Sequence, residues 1–215
     1  MGLILKSIKY TDYLPSIIIS GKMLTGKNTV MDIFMEYLTE DGHESGTISC
    51  ARQLKEDVCK YLDIPLNSAY TQEGKAAEYT SLAGRTTTLR KFLQSHGENM
   101  KKTFGLKYWI NYAIEDAKTL LESDIIPICD DARFIFELNG FVHDLPNSVC
   151  ILITRPDDQR GIDPSDPIHQ HESETEIPDW DNPIWDYVID NSESMEELRK
   201  KVWMIYADIK IRFDI

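Results

Sequence analysis

The octapeptide Gly21-Lys22-Met23-Leu24-Thr25-Gly26-Lys27-Asn28 constrains this chain more than any other stretch. It follows the apolar run Ile17-Ile18-Ile19 and precedes a segment of helical periodicity. A buried strand, a glycine-punctuated loop and a helix in that order form one unit of an α/β fold, and the loop is placed to cradle phosphate. Glycine at both ends frees the backbone to turn its N–H groups inward. The following helix adds partial positive charge at its N-terminus, and Lys27 can reach a β- or γ-phosphate. Asn28 stands where a Ser or Thr would ordinarily hold magnesium.

Short apolar strands alternate with helices along the rest of the chain, which predicts an α/β fold with a mostly parallel central sheet. The first core strand is expected at Ser16–Ser20, after a short leader ending in Asp12-Tyr13-Leu14-Pro15. Val30, Ile33, Phe34, Tyr37 and Leu38 then mark one face of a helix that Asp41-Gly42 ends. A second strand is expected over Thr47–Cys50 and a second helix over Gln53–Leu62. Residues 67–84 are polar and read as an irregular crossing segment. Leu89, Phe92, Leu93 and His96 predict a helix closed by Gly97, and Tyr108–Leu121 predicts another. Ile125–Cys129 reads as a strand whose Pro127 suggests an edge or a bulge. Val149–Thr154 and Tyr187–Ile189 complete the sheet. Ser194 and Glu197 box the start of a terminal helix with the stripe Leu198, Val202, Ile205 and Ile209.

A chain of 215 residues suits one sizeable domain. Its core is expected over about 16–154 and 185–215. The stretch between, about 155–184, is acidic, rich in proline and without periodicity, as functional lids or disordered insertions often are. The net charge of −13, with no run of Lys or Arg, argues against nucleic-acid binding. A small phosphorylated ligand needs only a few local cations. No apolar stretch approaches a membrane span, and the first residues lack a secretory signal, so a cytoplasmic protein is expected. Cys50, Cys59, Cys129 and Cys150 are scattered and read as buried free thiols. The oligomeric state is open, a homodimer included.

In open α/β sheets ligands gather at the carboxyl ends of strands. The glycine loop falls there, as do Asp130-Asp131 and Arg155. A carboxylate at that place can hold magnesium or its water shell, and an arginine can reach a transferring phosphate. Each has a plainer alternative: Asp130 or Asp131 as the cap of a helix starting near Arg133, Arg133 paired with Glu137, and Arg155 as a surface arginine. Arg90 and Gln94 lie one turn apart, opposite Leu89, Phe92 and Leu93, with Arg85 upstream. A guanidinium fork suits a phosphate and a carboxamide suits a base edge, although a solvated polar face is the alternative. His169 and His171 sit among carboxylates but lack a third ligand for a metal site. Tyr108 and Trp109 read as core packing.

Taken in order, several phrases resemble the bacteriophage-type deoxynucleoside monophosphate kinases. Ser20-Gly21-Lys22…Gly26-Lys27-Asn28-Thr29 is similar to that family's Ser-Gly-Lys…Gly-Lys-Asp-Thr loop. Leu89–Gly97 looks like its Arg-x-x-Leu-Gln-x-x-Gly segment, and Phe104-Gly105…Tyr108-Trp109 like the phrase that follows. Asp131-Ala132-Arg133-Phe134…Glu137 resembles its Asp-x-Arg-Phe-x-x-Glu motif. His171-Glu172-Ser173-Glu174 resembles its lid motif, and Asp186–Asn191 its closing strand. The resemblance implies a three-layer α/β/α P-loop kinase fold with an acceptor-binding region over about 65–105 and a lid insertion over about 155–184. It also implies transfer of the γ-phosphoryl group of ATP, with Mg2+, to a (deoxy)nucleoside monophosphate.

By the same resemblance, Gly21, Lys22, Thr25, Gly26, Lys27, Asn28 and Thr29 hold the ATP phosphates. Arg85, Arg90, Gln94 and Asp131 meet the acceptor, and Asn28 and Asp131 serve magnesium. Lys27, Arg133, Arg155 and Arg160 act on the transferring group, the last two from the lid, which is expected to order when both nucleotides bind. Asn28 departs from the family's Asp, and loss of a magnesium contact there would cost about 1–3 kcal/mol. Two other readings stay open at this point. One is an animal-type phosphomevalonate kinase, and the other a catalytically silent nucleotide-binding protein.

Overall fold

The computed structural model describes residues 14–161 and 172–215. The leader up to Tyr13, together with His169 and His171, lies outside the described residues. The chain divides into two compact units, one holding the residues up to Ser49 with Ile114–Ile215, the other Cys50–Ala113.

The first unit is built on a five-stranded parallel sheet. Its strands are β1 (Ser16–Ser20), β2 (Ser45–Ile48), β5 (Ile126–Cys129), β6 (Ser148–Thr154) and β7 (Tyr187–Asp190), in the order β2-β5-β1-β6-β7. β1 is central, paired from Ile17↔Ile128 on one side and from Ser16↔Ser148 on the other. All five of its residues are buried, which explains an apolar run without alternation. Ile17, Ile19, Ile128, Val149, Ile151 and Ile189 face one layer, filled by Val30, Ile33, Phe34 and Leu38 of α1 (Lys27–Glu40). Leu198, Val202, Ile205 and Ile209 of α8 (Met195–Phe213) complete that layer. Ile18, Cys150 and Leu152 are equally buried on the opposite face, where α6 (Ile135–Asp144) packs beside β6. The result is a three-layer α/β/α fold.

Pro127 lies in β5, between β2 and β1, and not at an edge. The preceding N–H, that of Ile126, donates to the Glu44 carbonyl on the β2 side at 2.9 Å. Successive N–H groups of a strand point to opposite sides, so the nitrogen of Pro127 faces β1. Pairing with β1 begins one residue later, at Ile17↔Ile128, and no ladder bond is lost. The second strand spans Ser45–Ile48, two residues earlier than expected. The terminal helix starts as predicted, with Ser194 Oγ accepting the Glu197 N–H at 3.3 Å.

The second unit contains α2 (Arg52–Leu62), α3 (Gln72–Ala76), the antiparallel hairpin β3 (Glu78–Thr80) and β4 (Thr86–Thr88), and α4 (Leu89–Phe104). The segment expected to be irregular is therefore largely structured. A turn at Leu66–Ala69, α3 and the hairpin account for most of it, and Ser81 and Arg85 exchange hydrogen bonds across the hairpin turn. A hairpin of three-residue strands is too short to leave a period-two signal. α4 also runs through Gly97, which was expected to close it, and ends only at Gly105. Gly97 is buried against Leu54, and its carbonyl accepts the Trp109 indole N–H at 3.1 Å. The core of this unit is Val58, Cys59, Ala69, Leu89 and Phe92. α5 (Tyr108–Leu121) has the bounds its pattern predicts. α7 (Glu172–Thr175) is a single short turn in the first unit.

All four cysteines are buried thiols outside any disulfide, as their spacing suggests. No helix among the described residues is long and apolar enough to cross a membrane.

Candidate active site

The glycine loop leaves the carboxyl end of the central strand and turns directly into α1. Gly21 has φ +151, and a Cβ there would lie 2.4 Å from the Ile153 carbonyl oxygen of the neighbouring strand. Only glycine allows the chain to leave β1 so close to β6. Gly26, the N-cap of α1, has φ +99, and its missing Cβ would meet Asn191 Nδ2 at 2.4 Å. Between them Leu24 is also left-handed, at φ +63, a conformation that tight functional loops tolerate. The Lys22 carbonyl points inward and accepts three hydrogen bonds. These come from Thr25 Oγ1 (2.9 Å), the Thr25 N–H (3.4 Å) and Lys27 Nζ (2.8 Å).

Lys27 opens α1 with its side chain 7% exposed. Its pKa is lowered from 10.5 to about 8, first by burial and then by the positive charge of Arg133. Glu174, Asp130 and Asp131 act in the opposite direction, so all four groups lie within electrostatic reach of the ammonium. Thr25 is buried in the loop, Thr29 is half-buried on the first turn of α1, and Lys22 and Asn28 turn their side chains to solvent.

Asp131 follows β5. Its Oδ2 accepts the Ser49 hydroxyl at 2.6 Å and its Oδ1 the Cys129 thiol at 3.4 Å. Neither it nor Asp130 caps α6. That role falls to Glu137, whose Oε2 accepts the N–H groups of Arg133 (2.8 Å) and Phe134 (3.1 Å). The Arg133 side chain is thereby left for another partner. Its guanidinium pairs with Glu174, not with Glu137 as one sequence alternative had it.

Glu174 is only 5% exposed and accepts the Met23 N–H of the glycine loop at 2.7 Å through its other oxygen. Arg160 donates to the Met23 carbonyl at 2.9 Å and pairs with Asp157. The buried Nε atoms of Arg155 and Arg160 have no hydrogen-bond partner among the described residues. Asn191, at the end of β7, donates from Nδ2 to the Thr25 carbonyl at 2.8 Å.

The structure thus gathers the loop, Arg133 and Arg160 in one unit and puts Asp130 and Asp131 within reach of Lys27's charge. Arg85, Arg90 and Gln94 belong to the other unit. There Arg90 donates to Gln72 Oε1 at 2.8 Å, Gln94 is half-buried on the same helix, and the exposed Arg85 lies 5.9 Å over the Phe92 ring. Sequence reasoning missed Glu174, Asn191 and Ser49 as site residues. The first two sit in phrases the resemblance used, but neither phrase says that its residue turns toward the loop.

No family model matches the chain, and no curated protein matches it. Solved structures share its fold. One is an unliganded sugar kinase from Janibacter sp. HTCC2649, with a TM-score of 0.53 and 12% identity over 91% of this chain and 95% of that chain. Another is the APS kinase CysC of Mycobacterium tuberculosis in complex with AMPPNP and APS. It has a TM-score of 0.51 and 9% identity over 91% of this chain and 98% of that chain. At such identities the likeness is one of fold alone, the three-layer α/β/α arrangement that these two kinases share with this chain.

Proposed function

We propose that this chain is a P-loop phosphotransferase that moves the γ-phosphoryl group of ATP onto a (deoxy)nucleoside monophosphate. The observation that carries this reading is the buried ammonium of Lys27, turned into a glycine loop at the N-terminus of α1 beside the guanidinium of Arg133. Loop amides, a lysine and arginines at the carboxyl end of a parallel sheet suit a polyphosphate. The APS kinase of the same fold, held with AMPPNP and APS, supports phosphoryl transfer between two small molecules.

In the reaction an acceptor phosphate oxygen forms a bond to Pγ while the bond from Pγ to the bridging β-oxygen breaks, releasing ADP. Lys27 and the amides of the loop through Thr29 hold the β- and γ-phosphates. Arg133, Arg155 and Arg160 stabilise the charge that spreads over the transferring group, and the buried Nε atoms of the last two have no hydrogen-bond partner among the described residues. Arg85, Arg90 and Gln94 bind the acceptor, the arginines at its phosphate and Gln94 at its base. Asp131 offers a hard carboxylate oxygen close enough to act on Lys27, which would suit a magnesium ion or its water shell, with Asn28 the second residue that would serve it. The ion, when bound, supplies neutralisation of phosphate charge. The motif order supports an enzyme of the bacteriophage type that supplies DNA precursors.

The test is ADP formation from ATP and magnesium with a panel of NMPs, dNMPs and phosphomevalonate, and Lys27→Ala as control. Turnover with one or more dNMPs, lost in the variant, is the expected outcome. Turnover with phosphomevalonate alone reassigns the acceptor. Silence throughout favours a nucleotide-binding protein without catalysis.

A further inference from the structure

Glu174 is a charged side chain buried against the loop with both carboxylate oxygens engaged. Oε2 accepts the Met23 amide at 2.7 Å and Oε1 the guanidinium of Arg133. These donors come from elements 151 and 41 residues away in the chain. A carboxylate is buried only where such donors compensate for lost water. A backbone amide of a glycine loop and an arginine fork are also the donors that a terminal phosphate takes. Lys27 lies near enough for Glu174 to raise its proton affinity. An anion on Oε1 and Oε2 therefore stands on the same donors as the transferable phosphate of a nucleotide. Two anions cannot share them, since like charges at contact repel strongly.

Resting on the proposed kinase reading, we infer that Glu174 is an internal stand-in for phosphate: its carboxylate occupies the Met23 amide and the Arg133 guanidinium until a polyphosphate displaces it. Displacement frees Arg133 for the incoming phosphate and releases α7 from the loop. Nucleotide affinity is thereby set by a competition within the chain. α7 is suited to such exchange because it is a single turn, with the Glu176 N–H closing onto the Glu172 carbonyl at 2.8 Å.

The experiment titrates inorganic tripolyphosphate calorimetrically into the full chain as wild type, Glu174→Gln and Lys27→Ala. The neutral amide competes less well for a guanidinium, so Glu174→Gln is expected to bind about tenfold more tightly than wild type. In wild type, tripolyphosphate should also speed hydrogen exchange at the Glu176 amide, a readout that stands even if the variant misfolds. Unchanged or weaker binding in Glu174→Gln, or unaltered exchange at Glu176, overturns the inference while Lys27-dependent binding leaves the loop's role intact. Tripolyphosphate affinity that does not depend on Lys27 instead overturns the phosphate-site reading beneath it.

Discussion

Asn191 and Thr25, 166 residues apart in the chain, are joined by a 2.8 Å hydrogen bond from the Asn191 carboxamide to the Thr25 carbonyl. The Asn191 N–H in turn donates to the Thr154 carbonyl at 2.8 Å, at the residue before Arg155. The end of β7 thus fixes the far side of the glycine loop to the sheet. A loop held this way presents its amides without first having to be ordered by the ligand, which is how rigid sites lower the cost of binding.

Asn191→Ala removes that tie. One hydrogen bond lost at a partly buried carbonyl is about 1 kcal/mol, so KM for ATP is expected to rise about fivefold, with the melting temperature falling by about 2–4 °C. Steady-state kinetics with a thermal melt check it, and an unchanged KM would show that the loop is rigid without Asn191.

Gly21→Ala places a methyl group 2.4 Å from the Ile153 carbonyl oxygen at φ +151. The obstacle is backbone, so the loop must move away from β6. The expected outcome is a loss of about 1–3 kcal/mol of stability, read by denaturant melts, together with weaker AMPPNP binding by calorimetry.

The depressed pKa of Lys27 predicts a pH dependence for the proposed phosphate binding. The buried amine is protonated below about pH 8 and neutral above it, where an ordinary lysine with its pKa of 10.5 would still be charged. Affinity for tripolyphosphate should therefore be full below pH 8 and decline as pH rises through it. A bound anion restores the charged form, so binding near pH 9 takes up a proton. Calorimetry in buffers of different ionisation enthalpy detects that uptake, and Lys27→Met should abolish it.

Asp131→Asn keeps the shape that receives the Ser49 hydroxyl but removes the negative charge. The magnesium concentration for half-maximal rate is expected to rise about ten- to a hundredfold, with little change in melting temperature. A magnesium titration of the rate is the measurement. An equal loss at every magnesium concentration would assign Asp131 to positioning instead.

Much of the fold is legible in the residues because burial on both faces writes itself into composition. β1 and α5 have the bounds their patterns predict, and the stripe of α8 is the buried one. Two of the misses share one cause. Gly97 reads as a helix stop, yet contact with Leu54 and the Trp109 indole holds it inside α4. Pro127 reads as an edge signal, yet the offset at which β1 begins removes its cost. In both cases a distant partner overrides a local preference.

The sequence by itself determined the loop, the strand before it, the helix after it and the parallel sheet around them. These follow from short-range steric and periodic constraints that a linear chain carries. Only the tertiary structure decided that Arg133 turns to Glu174 instead of Glu137, that Glu174 reaches the Met23 amide, and that Asn191 braces Thr25. Those are choices among chemically equivalent partners. Charge and hydrogen-bonding capacity alone do not distinguish one carboxylate from another, and the packing of strands far apart in sequence sets which one arrives.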